Sequence, residues 1–273
     1  MKTSNNPIGI FDSGIGGLTV FKTIRKAFPA EDIVYFGDTA RVPYGPKSKN
    51  TVIEYSIQNA SFLIQQNAKI IIVACNTSSA VALPYIREIT DIPVIGVIVP
   101  GAIAASNATR NNRIGIIGTE GTIRSEAYTK EILALKESAD IHSTPCPLFV
   151  SLAEEGWENS QEAETIAETY LKQLLAEKVD TIVLGCTHYP ILKSTIQKVV
   201  GKDVRLVDSS EAIIDSLRMI LPNPEADKIG HDYFFVSDNE EKFYNLASRI
   251  LNKEIYSLQK VRLRETWFVE KSD

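Results

Sequence analysis

Short runs of β-branched and aliphatic residues alternate along this chain with helical stretches of ten to eighteen residues. That alternation predicts an α/β fold with mainly parallel sheets. The apolar runs predict strands at 7–11 (PIGIF), 32–36 (DIVYF), 69–74 (KIIIVA) and 93–97 (PVIGV). A second set falls at 113–117 (RIGII), about 139–143, 180–184 (DTIVL) and 204–207 (VRLV). Helices are expected over 17–28, 50–67, 78–90, 124–136, 161–178, 191–200 and 210–220. Near-continuous apolar strands such as IIIV suit a sheet covered on both faces.

The pattern repeats. IGIFDSGIGGLTVFKTI from Ile8 matches IGIIGTEGTIRSEAYTKEI from Ile114, and KIIIVACNTSSAVALPYIRE matches DTIVLGCTHYPILKSTIQK. In the second pair an apolar strand ends on a cysteine, Cys75 or Cys186, followed by small polar residues and a helix. One βα plan used twice predicts two similar α/β domains related by a pseudo-twofold, with the active site in the cleft between them. The Pro and Gly of VIVPGAIAAS, near 97–106, mark the expected crossover. The domains are then 1–97 with 209–273, carrying Asp12 and Cys75, and 98–208, carrying Cys186 and His188. HDYFFVSDNEEKFYNLASRIL should add one more strand and helix to the first.

Composition narrows the classes of function. A chain of 273 residues, 44% hydrophobic and 23% charged, buries a sizeable core. Its net charge of -5 comes without a dense Lys/Arg stripe; the nearest candidate, KVRLRETWFVEK, is interrupted by acids. Nucleic acid is not an expected partner. The longest apolar stretch, 93–105, is too short and too broken by Pro and Gly to span a bilayer. MKTSNNPIGI lacks the charged-then-apolar pattern of a signal peptide. Three cysteines with no export signal point to a reducing cytoplasm and free thiols.

Cys75 and Cys186 are the first candidates for chemistry. N–H groups and the positive dipole end at a helix start stabilise a thiolate, so both thiols are expected below the ordinary cysteine range and competent as general acid or base. A single buried cysteine is usually an inert small hydrophobe; two at equivalent strand ends are not so easily dismissed. Cys146, in STPCPLF, lacks that context and reads as structural.

Asp12 and Ser13 open the turn Asp12-Ser13-Gly14-Ile15-Gly16-Gly17, which exposes N–H donors for an anionic group. The turn is not GxGxxG, so a nucleotide is not favoured. Asp12 at a strand's C-terminal end faces the crevice of an open α/β sheet, a plain N-cap being the alternative. A second rigid loop, Gly37-Asp38-Thr39-Ala40-Arg41-Val42-Pro43-Tyr44-Gly45, adds the polar reach of Arg41 and Tyr44. Cys186-x-His188 hints at a metal, but zinc needs three or four ligands and the chain has only His142, His188 and His231, so no metal is expected. His188 is better read as polarising the neighbouring thiol, or simply as a cap.

FDSGIGGLTV, GDTARVPYG, ACNTSSA and GCTHYP, in this order and spacing, resemble the glutamate racemases of the cofactor-independent Asp/Glu racemase family. The motifs run from Asp12 to Pro190. The resemblance implies interconversion of L- and D-glutamate without a cofactor, the D-isomer feeding peptidoglycan synthesis. Cys75 would work on the α-proton of D-glutamate and Cys186 on that of L-glutamate, assisted by Asp12 and His188. Substrate contacts would come from Asp12, Ser13, Pro43, Tyr44, Gly45, Asn76, Thr77, Thr187 and His188. A glutamate near the second cysteine, Glu154 or Glu155, is also implied, as is a homodimer. Sulfurs about 7–8 Å apart would leave room for one carbon between them. A racemase of another acidic amino acid such as aspartate is the nearest rival. A two-lobed binding protein gives no reason for paired thiols, and a thiol-redox or metal-sensing protein is a third reading that free-thiol titration and metal analysis would expose.

Overall fold

The computed structural model describes residues 5–221 and 229–263, so the end of KVRLRETWFVEK lies outside the described residues. The strands are β1 (Ile8–Asp12), β2 (Ile33–Gly37), β3 (Ile70–Val73), β4 (Val94–Gly96), β5 (Arg113–Gly118), β6 (Asp140–Pro145), β7 (Thr181–Gly185), β8 (Arg205–Asp208), β9 (Asp232–Val236) and β10 (Leu258–Lys260). Two sheets form, in the orders β10-β9-β2-β1-β3-β4 and β6-β5-β7-β8. Every pairing among the described residues is parallel. The order β2-β1-β3-β4 in one sheet recurs as β6-β5-β7-β8 in the other. The repeat seen in the sequence is therefore a repeat of topology, with β3 and β7 as counterparts.

Both sheets are covered on both faces, as IIIV-type strands require. In the first sheet Ile8, Ile10, Tyr35 and Ile72 enter one core, while Phe11, Phe36, Ile71 and Val73 enter the other. The second sheet divides likewise, Ile182 and Leu184 on one side and Ile114, Ile116 and Val183 on the other. Each such buried side chain contributes about 1.5–3 kcal/mol of hydrophobic stabilisation, which fixes the strand ends where the site is built.

The helices depart from the sequence reading in informative places. The presumed crossover near 97–106 is instead the helix Ile98–Ala108. Pro100 falls in its first turn, where the N–H has no intrahelical acceptor in any case, and Ile98, Ala102 and Ala105 pack with Tyr128, Ile132 and Val207. The helix expected over 78–90 breaks at Ala82 into Asn76–Val81 and Leu83–Glu88, because Pro84 opens the second piece. The one expected over 124–136 breaks at Glu126, whose φ of 55° is left-handed. Leu148–Glu155 is a helix, and β10 a strand, that the sequence reading did not anticipate. The added strand and helix after residue 230 are β9 and Glu240–Leu251. Among the described residues no helix is long and apolar enough to cross a membrane.

Candidate functional site

In the first sheet β1 lies between β2 and β3, so the connections leave its two sides in opposite directions. Ligands of open α/β sheets bind at such a point, beyond the strand C-termini. Asp12 ends β1 there, fully buried, and Cys75 follows β3 as the N-cap of Asn76–Val81. The Cys75 thiol donates to Ser13 Oγ at 3.6 Å. The helix start does not lower this thiol as expected. Burial and then the negative charge of Asp12 push it up to about 11, only partly offset by the Ser78 amide and the hydroxyls of Ser13 and Ser78. Desolvation outweighs the dipole of a helix six residues long.

Cys186 occupies the matching place, directly after β7, and is equally buried. Its surroundings differ. The chain turns through the 3-10 segment Tyr189–Leu192, so Cys186 does not sit at an α-helix N-terminus. Instead Sγ lies 3.8 Å from His188 Nδ1, and His188 Nε2 lies 3.4 Å from Glu154 Oε1. That second distance is an ion-pair contact rather than an aligned hydrogen bond. Burial works against a charged His188, but the contacts with Cys186 and Glu154 and the charges of Cys186 and Asp12 outweigh it and lift the imidazole to about 10. His188 in turn, ahead of burial and of Lys242, holds Glu154 below the usual carboxylate range. Glu154 is thus the residue that reaches the second cysteine's histidine, while Glu155 is exposed. Sequence reasoning reached Glu154 only as one of a pair, because the helix that carries it was missed.

The two halves meet at Asp12. Its Oδ2 accepts from the Gly14 amide at 2.9 Å, and its Oδ1 accepts from Thr187 Oγ1, beside Cys186, at 3.2 Å. Burial raises its carboxyl above the usual range, although the His188 charge, the amides of Gly14 and Gly17 and the Thr187 hydroxyl pull the other way. Thr19 Oγ1 donates to the Thr187 carbonyl at 3.0 Å. Opposite these contacts, Thr77 Oγ1 meets Thr119 Oγ1 at 2.8 Å, and the Gly121 amide donates to the Gly45 carbonyl at 2.9 Å. Asn76 Oδ1 accepts from Tyr128 at 2.7 Å, whereas Asn76 Nδ2 is buried with no partner among the described residues, a donor left free for a ligand.

Asp12 and Ser13 at the end of β1, Cys75, Asn76 and Thr77 after β3, and Cys186, Thr187 and His188 after β7 are therefore neighbours. The 37–45 loop is present but turned differently from expectation. The Tyr44 hydroxyl bonds Asp38 and accepts from Asn59, and Arg41 is taken up by Asp38 and Asn59, so neither offers its polar end to a ligand. Pro43 is exposed and Gly45 buried against Thr119. Cys146 is buried beneath Phe149 and Tyr189, as a structural cysteine should be.

The repeat is asymmetric in its chemistry. Aligning the halves sets Asp12 against Gly118, and Asn76-Thr77 against Thr187-His188. Cys75 has a carboxyl for its neighbour; Cys186 has an imidazole backed by a carboxylate. Two like thiols are thereby given unlike neighbours.

A stability prediction follows from the signs. His188 rises from 6.5 to about 10 and Cys75 from 9.0 to about 11, so folding favours the protonated form of each. The associated stability is present below the lower value of each pair and is lost as pH climbs through the upper. The thermal midpoint should fall between about pH 7 and pH 10, and His188→Asn should flatten that fall. Parallel slopes for wild type and variant, measured by calorimetry, would contradict the assignment.

Comparison with known proteins gives a consistent result. A family model described as Asp/Glu/Hydantoin racemase matches residues 8–217. The glutamate racemase of Geobacter metallireducens is 49% identical over 260 residues, covering 94% of this chain and 96% of that protein. The crystal structure of the Francisella tularensis glutamate racemase in complex with D-glutamate superposes with a TM-score of 0.89 at 41% identity, covering 96% of this chain and 99% of that one. That of the glutamate racemase isoform RacE1 from Bacillus anthracis gives 0.92 at 38% identity, with the same coverage.

Proposed function

The chain belongs to the Asp/Glu/hydantoin racemase family, and from that premise we propose that it is an isomerase interconverting L- and D-glutamate by proton transfer between two cysteines. The observation that carries this reading is the placing of Cys75 and Cys186 at equivalent strand ends, tied through Asp12 and Thr187. One thiolate takes the α-proton from one face of the carbon, and the opposing thiol delivers a proton to the other face. The carbon acid is weak, so the negative charge that spreads onto the carboxylate must be met by fixed donors. Asn76 Nδ2 and the amides opening Asn76–Val81 supply donors of that kind.

The asymmetry of the halves supports one starting state. Cys75, held up by burial and Asp12, is the proton donor of the resting enzyme. On the other side His188, lifted to about 10, stands with Nδ1 3.8 Å from Cys186 Sγ. This form accepts L-glutamate at Cys186 and yields D-glutamate with the two proton inventories reversed. The lobes are 1–97 with 209–273, and 98–208, each bringing one thiol to the cleft. The cell would use the D-isomer in peptidoglycan synthesis, in the cytoplasm, with the protein acting as a homodimer whose mass sedimentation reports.

The deciding assay follows optical rotation with L- and D-glutamate and with both aspartates at equal concentration. Glutamate should be turned over in both directions, with solvent deuterium entering the α-carbon of the product. Faster turnover of aspartate would replace glutamate as the substrate. No exchange with any of the four would remove the racemase reading.

A further inference from the structure

Glu154 reaches His188 with one carboxylate oxygen only. Its Oε2 accepts from Lys242 Nζ at 3.2 Å, so the carboxylate bridges an imidazole on its own half of the molecule and an ammonium on the other. Lys242 sits in the first turn of Glu240–Leu251, whose Phe243, Leu246, Ala247 and Leu251 are buried in the same core as β1 and β2. Asn239 caps that helix through the Lys242 amide at 3.1 Å. Its base is therefore fixed to the first half, although Glu154 belongs to the second.

A second contact follows the same path. Arg249, seven residues on and so on the same face of the helix, donates Nη2 to the Ala153 carbonyl and, at 3.2 Å, to that of Glu154. These are carbonyls at the end of Leu148–Glu155, which have no intrahelical donor. The helix stops at Gly156, φ 77°, where a Cβ would lie 2.5 Å from Arg249 Nη1. Gly156 thus serves two needs, a left-handed backbone and room for the guanidinium. A cavity lined by Gly14, Val42, Glu154, Asn239, Lys242 and Phe243 opens beside these contacts, against the turn that follows Asp12.

We propose that Lys242 is a positioning residue for the Cys186 half of the reaction: from the first half it holds Glu154 against His188, so that the His188–Cys186 pair is fully supported only when the halves are closed. Arg249 assists by fixing the backbone of the same glutamate. This rests on the racemase reading for its consequence in turnover, but not for its effect on His188. The titratable groups facing His188 are Cys186 from the loop after β7, Asp12 from β1 and Glu154; those facing Glu154 are His188 and Lys242, with Arg249 on its main chain. Asp238, near Lys242, is engaged by Lys260.

The Lys242 ammonium is half exposed, at 54% of its side chain, so the pair adds little to stability. Its effect should appear in the titration of His188. In Lys242→Met the freed carboxylate swings to solvent and His188 loses a partner. The His188 midpoint, read by NMR without substrate, should fall below that of wild type, in the same direction as in Glu154→Gln but by less. With L-glutamate, kcat should drop about three- to fivefold with KM little changed, and the alkaline limb should move to lower pH. Lys242→Arg should restore all three.

If Lys242 merely neutralised Glu154, its loss would strengthen the carboxylate's pull and the His188 midpoint would rise. If it were an idle surface charge, nothing would move. Either result overturns the proposal. Lys242→Gln carries the same test should the methionine variant not fold. A wild type that fails to turn over glutamate while the His188 midpoint still responds would sink the racemase reading and leave this contact standing.

Discussion

Cys75→Ala and Cys186→Ala should each cut racemisation by about a thousandfold or more, the scale of losing a positioned acid or base at a carbon that ionises poorly. Neither change should unfold the chain. Each thiol is small, and the hole left behind costs on the order of 1 kcal/mol, within what two fully covered sheets tolerate. What remains in each variant is one base. A glutamate analogue with a leaving group on the β-carbon needs only one: the α-proton goes to sulfur, the carbon–leaving-group bond breaks, and no reprotonation on the far face is required. Cys75→Ala, retaining Cys186, should eliminate from the L-analogue, and Cys186→Ala from the D-analogue. Opposite handedness is the signature of two bases on two faces. Similar residual racemisation in both variants would mean that neither thiol is obligatory.

What made the fold legible was repetition. Strand ends recur with the same neighbours, IIIVAC and IVLGC, and a parallel sheet covered on both faces leaves little freedom in where such strands lie. The eight strands expected from apolar runs are present, shifted by a residue or so at their ends. Helices whose apolar face is interrupted by Pro and Gly were harder. Ile98–Ala108 was masked because Pro100 and Gly101 read as a crossover, yet a first-turn proline breaks nothing and Gly101 fits against Tyr128. Leu148–Glu155 was masked by its length of eight residues, although Phe149, Leu152 and Ala153 share one face and Gly156 ends it. Those were the signals available.

The site divides along the same line. Cys75, Cys186, Asp12 and His188 could be placed because they flank strand ends in the sequence. The ion pair of Glu154 with His188 joins residues 34 apart, and Lys242 lies a further 88 residues from Glu154. No local spacing encodes such a contact. Nor could the upward shift of Cys75 be read from a strand–cysteine–helix pattern, since the pattern displays the helix dipole and hides the burial and the Asp12 charge that exceed it.

Gly16 tests how closely the halves must approach. It reads in the sequence as a residue for turning the chain, but the space around it makes the stronger demand. A Cβ on Gly16 would lie 2.5 Å from His188 Nδ1 and closer still to Thr187 Oγ1. Neither atom is the loose end of an exposed side chain: Thr187 is bonded to Asp12, and His188 is wedged between Cys186 and Glu154. Gly16→Ala must therefore rotate the imidazole away from Cys186 or hold the two halves apart. Either displacement is of ångström size, and misplacement on that scale costs about a hundredfold in rate. The loss should fall on kcat with L-glutamate. In the same variant the NMR midpoint of His188 should move towards 6.5 as its contact with Cys186 lengthens. The first half keeps its own core, so circular dichroism should be unchanged. Wild-type kcat in Gly16→Ala would show that the closure seen here is tighter than turnover requires, and that His188 need not hold its place beside Cys186.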